Sequence, residues 1–392
     1  MSKGKIAIVG IGEVPTGWYP DRSEWDIIYD ICMQAIRDAG IDKNAVEGVI
    51  CAPAVGQPKL DAELAFGKVP EELGLKGCKD VAMVHAGGAT SANMIRMAEY
   101  WINNGIAKIV LLLHATKYSS VDPEYLIRTF ATAGMSFEWE YPFGVTYNSM
   151  VALGTHKYME VTGTTAEEMA SVPVAFRKWA ELDPNAMFRK PLTIEKVLST
   201  KMVSTPLHSM ECNMLADGGA AMVVTTPELA RKITKTPVFK LGEGNRYCQA
   251  TVTQRPEDLM MRTYKEAAEQ AFAEASLTVK DMDILELYCA YPVLMLTLLE
   301  VLGVCKRGEA GKFVMQGNTW PGGKLPCSTI GDALSRGHTG SGVGFAYLVE
   351  TARQLMGKAG ERQVPNCRYV LTNCAGGSGM NVIFEIYGRN MP

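Results

Sequence analysis

An internal repeat constrains the fold of this chain more than any other feature of its sequence. The segment Met33–Ile41 resembles Glu269–Leu277, and each is followed, at the same distance, by an apolar residue, an acid and a strand-like run. The acids are Glu47 and Asp283, and the offset of 236 residues is the same for the whole match. A constant offset of this kind indicates duplication of a structural unit.

Two further matches occur in the same order along the chain. Val9-Gly-Ile-Gly12 resembles Leu241-Gly-Glu-Gly244, and the helix–strand pair that ends at Leu113 resembles the pair that ends at Thr372. Strands that alternate with helices predict a mainly parallel sheet. We therefore predict an α/β protein with two similar halves, joined near residues 226–237.

The segment 118–210 differs from its surroundings because it is rich in aromatic residues, Met and Pro. Helical patches are predicted near Tyr147–Val161 and Thr165–Leu182. We interpret this segment as an inserted domain that forms a lid or a substrate wall. The predicted domains are an N-terminal half (1–117 and 211–230), the insertion (118–210) and a C-terminal half (231–392).

Composition excludes several classes of protein. With 47% hydrophobic and 21% charged residues and a net charge of −3, the chain is typical of a globular protein and has no basic block for nucleic acid. Its ten cysteines form no C-x-x-C pair, so we expect free thiols, a cytoplasmic location and no metal site. No signal peptide is expected. The most apolar stretch, Tyr288–Cys305, contains Pro292 and Glu300, which disfavours a membrane span.

In a duplicated α/β fold, functional groups gather at the carboxyl ends of the strands. Four segments follow predicted strands or open predicted helices in this way and contain chemically useful residues: His85–Ser91, Tyr288–Tyr291, Gly337–Gly342 and Cys374–Gly379.

Cys374 is the first candidate catalytic residue. It lies at a strand end among glycines, where a substrate can approach closely and backbone N–H groups can hold an oxyanion. The alternative is a tight β-hairpin in which this cysteine is a small core residue.

His338 is the second candidate, in Gly337-His-Thr-Gly340-Ser-Gly342 before a predicted helix, Val343–Met356. At a helix N-terminus the dipole keeps an imidazole neutral, and the glycines, including Gly340, allow an anion or acyl group to approach the backbone. The alternative is a helix cap with a satisfied histidine.

The remaining histidines are weaker candidates. They are His85, His114, His156 and His208. One of them, His208, has i, i+4 spacing to Cys212, but a single pair of this kind is a poor indication of a metal site. Gly10-Ile-Gly12 lacks the third glycine of a dinucleotide fingerprint, so we predict no such cofactor.

Taken together, the repeat and three motifs resemble the thiolase superfamily over nearly the whole chain. The motifs are Asp217-Gly-Gly-Ala-Ala, Gly337-His338 and Cys374-Ala-Gly376. The chain is most similar to the lipid-transfer or sterol-carrier branch. This resemblance implies a duplicated five-layer αβαβα fold with two five-stranded sheets, a homodimer, and a hetero-oligomer with a small zinc-ribbon/OB-fold protein. It also implies coenzyme A as a substrate, no covalently bound cofactor, and zinc only in the partner.

The resemblance also assigns roles to individual residues. Cys374 matches the acid/base cysteine, and His338 matches the histidine that activates a thiol and lines one oxyanion hole. Gly376 matches a backbone N–H donor of the other oxyanion hole. Tyr288 occupies the place of an Asn or His near an oxyanion.

This chain departs from the family pattern at the nucleophile. The position of the usual nucleophilic cysteine falls on Gly88, Cys289 stands where relatives have an acid, and Thr339 replaces a proline after His338. Three explanations remain open. Cys374 or Cys289 has taken over the nucleophilic role, free CoA attacks the substrate directly, or the reaction is a retro-aldol cleavage without a nucleophile.

The resemblance implies carbon–carbon bond cleavage of an acyl-CoA, first by thiolysis of a bulky β-oxoacyl-CoA. It suggests an aromatic substrate such as 2-benzoylsuccinyl-CoA, from anaerobic aromatic degradation. Residues Trp139, Tyr141, Phe143 and Met150 either line an acyl pocket or belong to a dimer core. The alternatives are retro-aldol cleavage of a steroid-type β-hydroxyacyl-CoA and a non-catalytic acyl-CoA or lipid binder. The enzymatic reading requires that the two halves bring Cys374 and His338 to a shared pocket.

Overall fold

The computed structural model describes residues 6–52, 65–132, 135–249, 251–256 and 259–391. Eleven strands occur in the described part of the chain. They are β1 (Ala7–Gly17), β2 (Gly48–Cys51), β3 (Asp80–Met83), β4 (Ile109–Thr116), β5 (Met202–Ser204), β6 (Leu207–His208), β7 (Asp217–Thr225), β8 (Val238–Tyr247), β9 (Ile284–Glu286), β10 (Tyr369–Gly376) and β11 (Asn381–Gly388).

Twelve α-helices connect and cover these strands within the same ranges. They are α1 (Glu24–Ala39), α2 (Ala65–Leu73), α3 (Thr90–Asn103), α4 (Pro123–Thr132), α5 (Tyr147–Thr162), α6 (Ala166–Ala180), α7 (Ile194–Leu198), α8 (Pro227–Ile233), α9 (Leu259–Ala275), α10 (Pro292–Val301), α11 (Ala310–Met315) and α12 (Val343–Met356). Among the described residues, none of the helices is both long and apolar enough to cross a membrane.

Nine strands form one sheet in the order β3-β2-β4-β7-β1-β8-β11-β10-β9. The strands β2-β4-β7-β1 of the first half correspond to β9-β10-β11-β8 of the second half, and the two sets run outward from the centre of the sheet in mirrored order. A single parallel bridge between Leu285 and Cys327 takes the place of the fifth strand there. The two similar halves are confirmed. Among the described residues, β1 and β8 join the halves through the pairs Ala7–Phe239 and Ile8–Val238, so the two predicted sheets form one hydrogen-bonded series.

The prediction of a mainly parallel sheet is wrong, because the sheet is mixed. Between the named strands of the described residues, the parallel pairs are β2 with β3, β2 with β4, and β9 with β10. The other pairs between named strands are antiparallel, including β4 with β7 and β10 with β11. The turn between β10 and β11, for example, spans only residues 377–380.

The Gly-x-Gly repeats have a packing role in this sheet. A β-carbon at Gly12 would lie 2.2 Å from the Ile31 carbonyl oxygen of α1, and one at Gly244 would lie 1.7 Å from the Ala267 carbonyl oxygen of α9. Only glycine permits the backbone of a helix to approach a strand so closely. The matched glycines therefore seat α1 and α9 on equivalent strands.

The sheet carries helices on both faces. Helix α1 packs on β1, β4 and β7, and α9 packs on β8 and β11, whereas α12 contacts α3, β1, β7 and β10. Residues of α3 and α12, such as Ile95 and Leu348, share one buried apolar cluster with alternate residues of the strands. Because α3 and α12 come from different halves, this central layer brings the segments that precede them together.

Candidate active site

Segments from both halves converge beside the central helices. Gly87 and Gly88 precede α3, Tyr288 and Cys289 follow β9, and His338–Gly342 precede α12. The end of β10 lies against the first of these, since a β-carbon at Gly87 would be 3.0 Å from the Gly377 nitrogen. The structure thus brings together all four segments that the sequence analysis selected.

The ring of Tyr288 lies against Gly88. A β-carbon on residue 88 would be 2.9 Å from Tyr288 Cε1 and 2.4 Å from the Ala375 carbonyl oxygen. Contacts this short exclude a side chain unless its neighbours move. Tyrosine therefore fills the space toward which a side chain at residue 88 would project.

Hydrogen bonds at both ring nitrogens orient the imidazole of His338. Its Nδ1 accepts a hydrogen bond of 3.0 Å from the Gly340 N–H, and its Nε2 lies 2.9 Å from the Tyr288 hydroxyl oxygen. A neutral ring that accepts at Nδ1 carries its proton on Nε2, so Nε2–H donates to Tyr288. Burial lowers the pKa of His338 to about 4, which keeps the ring neutral.

The expected helix dipole is not the main cause of this neutrality. A turn, Gly340–Gly342, separates His338 from the first residue of α12, and burial is the largest cause of the lowered pKa. The backbone of His338 is held instead by residues before β7: its N–H donates to the Met214 carbonyl, and its carbonyl accepts from the Ala216 N–H.

Two buried side chains fix the backbone around Tyr288. The Tyr288 N–H donates to Asn373 Oδ1 at 2.9 Å, and the Cys289 N–H donates to the carboxylate of Asp332 at 3.2 Å. Asp332 also accepts the Tyr347 hydroxyl at 2.5 Å. Burial raises the pKa of Asp332 to about 6. These contacts hold the tyrosine from elements on both sides of it.

Neither candidate thiol is set up as a nucleophile. Cys374 Sγ lies 3.5 Å from Ser91 Oγ, and burial raises the pKa of this thiol to about 12. Cys289 is completely buried, and burial, followed by the nearby Asp332 carboxylate, raises its pKa well above the usual value. Because of these raised pKa values, both groups are neutral thiols near pH 7. The nucleophilic form of cysteine is the thiolate, so neither group is an active nucleophile.

Cys374 and Gly88 are neighbours around Gly344. A β-carbon at Gly344 would lie 3.0 Å from Cys374 Sγ and 3.1 Å from the Gly88 carbonyl oxygen. Gly88 in turn contacts Tyr288, which binds His338. The thiol and the imidazole thus belong to one cluster, with Gly88 and Tyr288 between them.

Exposure differs between the residues of the cluster. Cys374 and His338 are 1% and 6% exposed, whereas Gly87, Gly88 and Tyr288 are partly exposed. A shared pocket for the Cys374 thiol and the His338 imidazole stays a prediction, and the tyrosine ring occupies the space at Gly88.

The two other glycines are in close contact with protein groups. The Gly340 N–H is already donated to His338, and a β-carbon there would lie 1.7 Å from the Tyr118 hydroxyl oxygen. A β-carbon at Gly376 would lie 2.1 Å from the Ala86 carbonyl oxygen. Their roles toward a substrate oxyanion stay predictions.

The four weaker histidine candidates differ in exposure and in hydrogen-bond partners. His85 and His156 are exposed, and His208 pairs with Glu211 at 3.0 Å. His114 is buried and lies 2.9 Å from the Thr339 carbonyl oxygen, beside the cluster. Within the described ranges, no three His, Cys, Asp or Glu side chains are arranged to hold a metal ion.

Four residues of the cluster were not selected as functional from the sequence. They are Ser91, Asn373, Asp332 and Tyr347. The best signal in the sequence was the pair Gly331-Asp332, because aspartate tolerates a positive φ better than most residues. In the structure, Asp332 has a φ of 49°. Their partners are distant in sequence, so no local pattern identifies them.

The aromatic residues of the insertion do not line this cluster in a buried pocket. Trp139 and Phe143 are 67% and 81% exposed, and Tyr141 and Met150 are partly exposed. The acyl-pocket hypothesis for these residues is not supported by their exposure.

Comparison with known proteins places this geometry in context. Residues 244–389 match the family model described as thiolase C-terminal domain-like. The chain is 30% identical over 362 residues to a steroid side-chain-cleaving aldolase of Thermomonospora curvata, covering 89% of this chain and 90% of the relative. It is 27% identical over 377 residues to benzoylsuccinyl-CoA thiolase subunit BbsB of Thauera aromatica, covering 95% of each.

A solved structure agrees with these relatives. The structure described as Ltp2-ChsH2(DUF35) aldolase superposes with a TM-score of 0.85 at 27% identity, and the match covers 99% of both chains.

Proposed function

Because this chain belongs to the thiolase superfamily, we propose that it cleaves a carbon–carbon bond of an acyl-CoA by a retro-aldol reaction on a β-hydroxyacyl-CoA. The observation that carries the proposal is the Tyr288 ring at Gly88, with its hydroxyl on His338. Thiolase-like cleavage of acyl-CoA substrates is common to the thiolase and aldolase relatives, so the choice depends on the site.

A covalent acyl-enzyme has no support in this site. Residue 88 has no side chain, and the thiols of Cys374 and Cys289 are neutral because their pKa values are raised by burial. Acyl transfer through the protein needs a thiolate that can reach a carbonyl carbon. A retro-aldol reaction needs only proton transfer and stabilisation of an enolate.

The groups at hand fit those two needs. In the proposed reaction the β-hydroxyl passes its proton to water, the Cα–Cβ bond breaks, and its electron pair moves into the thioester enolate. The hydrogen-bonded pair Tyr288–His338 stabilises the enolate oxygen. The Cys374 thiol then protonates Cα, and the hydroxyl proton restores that thiol. The products are a ketone or aldehyde and a shorter acyl-CoA, and nothing else is consumed.

The burial of Tyr288 suits a donor role. Burial raises the pKa of Tyr288 well above its usual value, so the hydroxyl keeps its proton. Its oxygen accepts from His338 Nε2–H, which leaves the O–H free to donate to an oxyanion. Tyr288 is also partly exposed, which allows contact with a substrate.

Thiolysis by free CoA is the second candidate. The similarity to the benzoylsuccinyl-CoA thiolase subunit, which extends over 95% of both chains, favours it. In that reaction CoA itself attacks the β-carbonyl, and Cys374 protonates the departing carbanion. The substrate is then a bulky β-oxoacyl-CoA.

We also propose that the chain assembles with partners. The structure of the similar aldolase includes a DUF35 protein, and we propose an equivalent small zinc-ribbon/OB-fold partner here. A homodimer is proposed as well, since the exposed Trp139 and Phe143 form apolar surface of the kind that association covers. The domain boundaries given above and a cytoplasmic location remain proposals.

The test uses the purified chain, with and without such a partner. A bulky β-hydroxyacyl-CoA without free CoA should yield a ketone or aldehyde and one shorter acyl-CoA, measured by liquid chromatography and mass spectrometry. Cleavage that occurs only on a β-oxoacyl-CoA, only with added CoA, and that yields two acyl-CoA thioesters would instead establish thiolysis. A Cys374→Ala variant should lose deuterium incorporation at Cα of the acyl-CoA product.

A further inference from the structure

His114 occupies a space built to admit its ring. It lies near the end of β4, is 1% exposed and stacks on Phe345 of α12, with the ring planes 12° apart. A β-carbon at Gly342 would lie 1.6 Å from His114 Cδ2, so only glycine at residue 342 leaves room for the imidazole. A strand of the first half thereby contacts the loop of the second half that carries His338.

The hydrogen bonds of His114 and His338 meet on one peptide group. His114 Nε2 lies 2.9 Å from the Thr339 carbonyl oxygen, and the Gly340 N–H donates to His338 Nδ1 at 3.0 Å. That carbonyl and that N–H are the two ends of the same planar peptide unit. A carbonyl only accepts, so Nε2 of His114 is protonated.

We propose that His114 is a positioning residue that acts through the Thr339–Gly340 peptide to hold His338 in the tautomer whose Nε2–H donates to Tyr288. This inference rests on the proposed function of Tyr288 and His338. By fixing the carbonyl end of the peptide, His114 also fixes the direction of its N–H end. The N–H then occupies His338 Nδ1 and excludes a proton from it.

A packing role alone does not account for a histidine at this position. An apolar ring of similar shape would fill the same space and stack equally well on Phe345. The Nδ1 atom of His114 is buried, and none of the described groups hydrogen-bonds to it, which an apolar residue would avoid. The bond to Thr339 is the contact that specifically favours histidine here.

The proposal is tested on the full-length chain labelled with ¹⁵N, by recording the ring nitrogens of its five histidines. His338→Asn assigns the His338 signals. In the wild type, His338 should show a protonated Nε2 and an unprotonated Nδ1. In His114→Phe, which keeps the ring and removes the donor, the His338 signals should move toward a mixture of tautomers.

Activity gives the second readout. With the substrate that the wild type cleaves, kcat of His114→Phe should fall about 10-fold to 100-fold with KM nearly unchanged, as for other groups that orient a functional histidine. His114→Gln retains an N–H donor and should recover most of kcat and the wild-type His338 signals. His156→Phe, at an exposed position, should change neither.

The outcomes are separable. If His114→Phe is destabilised, His114→Met serves as the second variant without a donor. Unchanged His338 signals in a folded donor-less variant, or a loss in His114→Gln equal to that in His114→Phe, would overturn the proposal. Failure of the wild type to cleave a β-hydroxyacyl-CoA, with the His338 signals still displaced in His114→Phe, would refute the proposed function and support the positioning role.

Discussion

The Tyr288 ring stands where a side chain on residue 88 would project, with Cε1 only 2.9 Å from the position of a β-carbon on Gly88. The two residues are 200 positions apart in the sequence, yet each explains the other. A tyrosine at 288 requires glycine at 88, and glycine at 88 removes the usual nucleophile. In the proposed function, the Tyr288 hydroxyl on His338 acts in place of a thiol at residue 88.

Restoring the cysteine should not restore thiolase chemistry. In Gly88→Cys, the new β-carbon would meet Tyr288 and the backbone oxygen of Ala375 at 2.4 Å, so we expect a destabilisation of about 1–3 kcal/mol. No acyl adduct should form with a β-oxoacyl-CoA. Thermal unfolding and intact-mass spectrometry measure the two effects.

Gly154→Cys is the matched control for this substitution. Gly154 lies in α5 with nothing within 4 Å of its β-carbon position, so its change in stability should stay within about 0.5 kcal/mol. A Gly88→Cys protein as stable as this control, and acylated at residue 88, would contradict the steric argument.

Removal of the tyrosine hydroxyl should abolish most activity. Tyr288→Phe keeps the ring against Gly88 but leaves His338 Nε2–H without its acceptor, so we expect kcat/KM to fall about 10²-fold to 10⁴-fold. The folded state should lose only about 1 kcal/mol. Steady-state kinetics and urea unfolding check both values.

Tyr158→Phe controls for the loss of a tyrosine hydroxyl away from the cluster. Tyr158 donates to Glu300 at 2.6 Å, and its variant should retain wild-type kinetics. Equal activity of Tyr288→Phe and the wild type would rule out the assigned role of the hydroxyl.

The buried histidines should make the fold sensitive to acid. Burial lowers the pKa values of His114 and His338 to about 4, below the 6.5 of an ordinary histidine. The unfolded chain therefore takes up protons first, and stability present above pH 6.5 is lost as the pH falls toward 4. Asp332, whose pKa is raised to about 6, opposes this trend over part of the range.

His114→Phe isolates one contribution, since Asp332 is common to both proteins. Between pH 7.5 and pH 5, the free energy of unfolding should decrease by about 2 kcal/mol less in His114→Phe than in the wild type. Urea denaturation at the two pH values measures the difference, with His156→Phe as the reference. An identical pH dependence in wild type and His114→Phe would refute the burial argument.

A buried ion-pair network links the two halves to the insertion. Arg336, 3% exposed, binds Asp183 at 2.6 Å and also pairs with Glu13 of β1. In Arg336→Met, two buried carboxylates lose a partner, so we expect a loss of about 3–5 kcal/mol. Arg22→Met, which removes a half-exposed pair with Asp30, should cost less than about 1 kcal/mol in the same denaturation assay. Similar losses of unfolding free energy in the two variants would show that the buried network contributes no more to stability than an exposed ion pair.

The sequence alone determined the duplication within the fold and the family. The Gly-x-Gly repeats and the helices that follow them reflect a local requirement, the close packing of one helix on one strand. A local requirement of this kind is met by residues close together in the sequence, so it can be recognised there. The similarity of the two halves was predicted for this reason and is confirmed, as is the thiolase resemblance. The selection of the segments around Gly88, Tyr288, His338 and Cys374 followed from the rule that strand ends converge.

Only the tertiary structure decided what these segments do together. That Tyr288 fills the space at Gly88, that Asp332 and Asn373 hold its backbone, and that both thiols are too buried to ionise depend on contacts between residues far apart in the chain. The mixed pairing of the sheet escaped prediction because strand direction depends on how each connection returns. Spacing in sequence specifies local packing, whereas volume, burial and hydrogen-bond partners are properties of the folded chain.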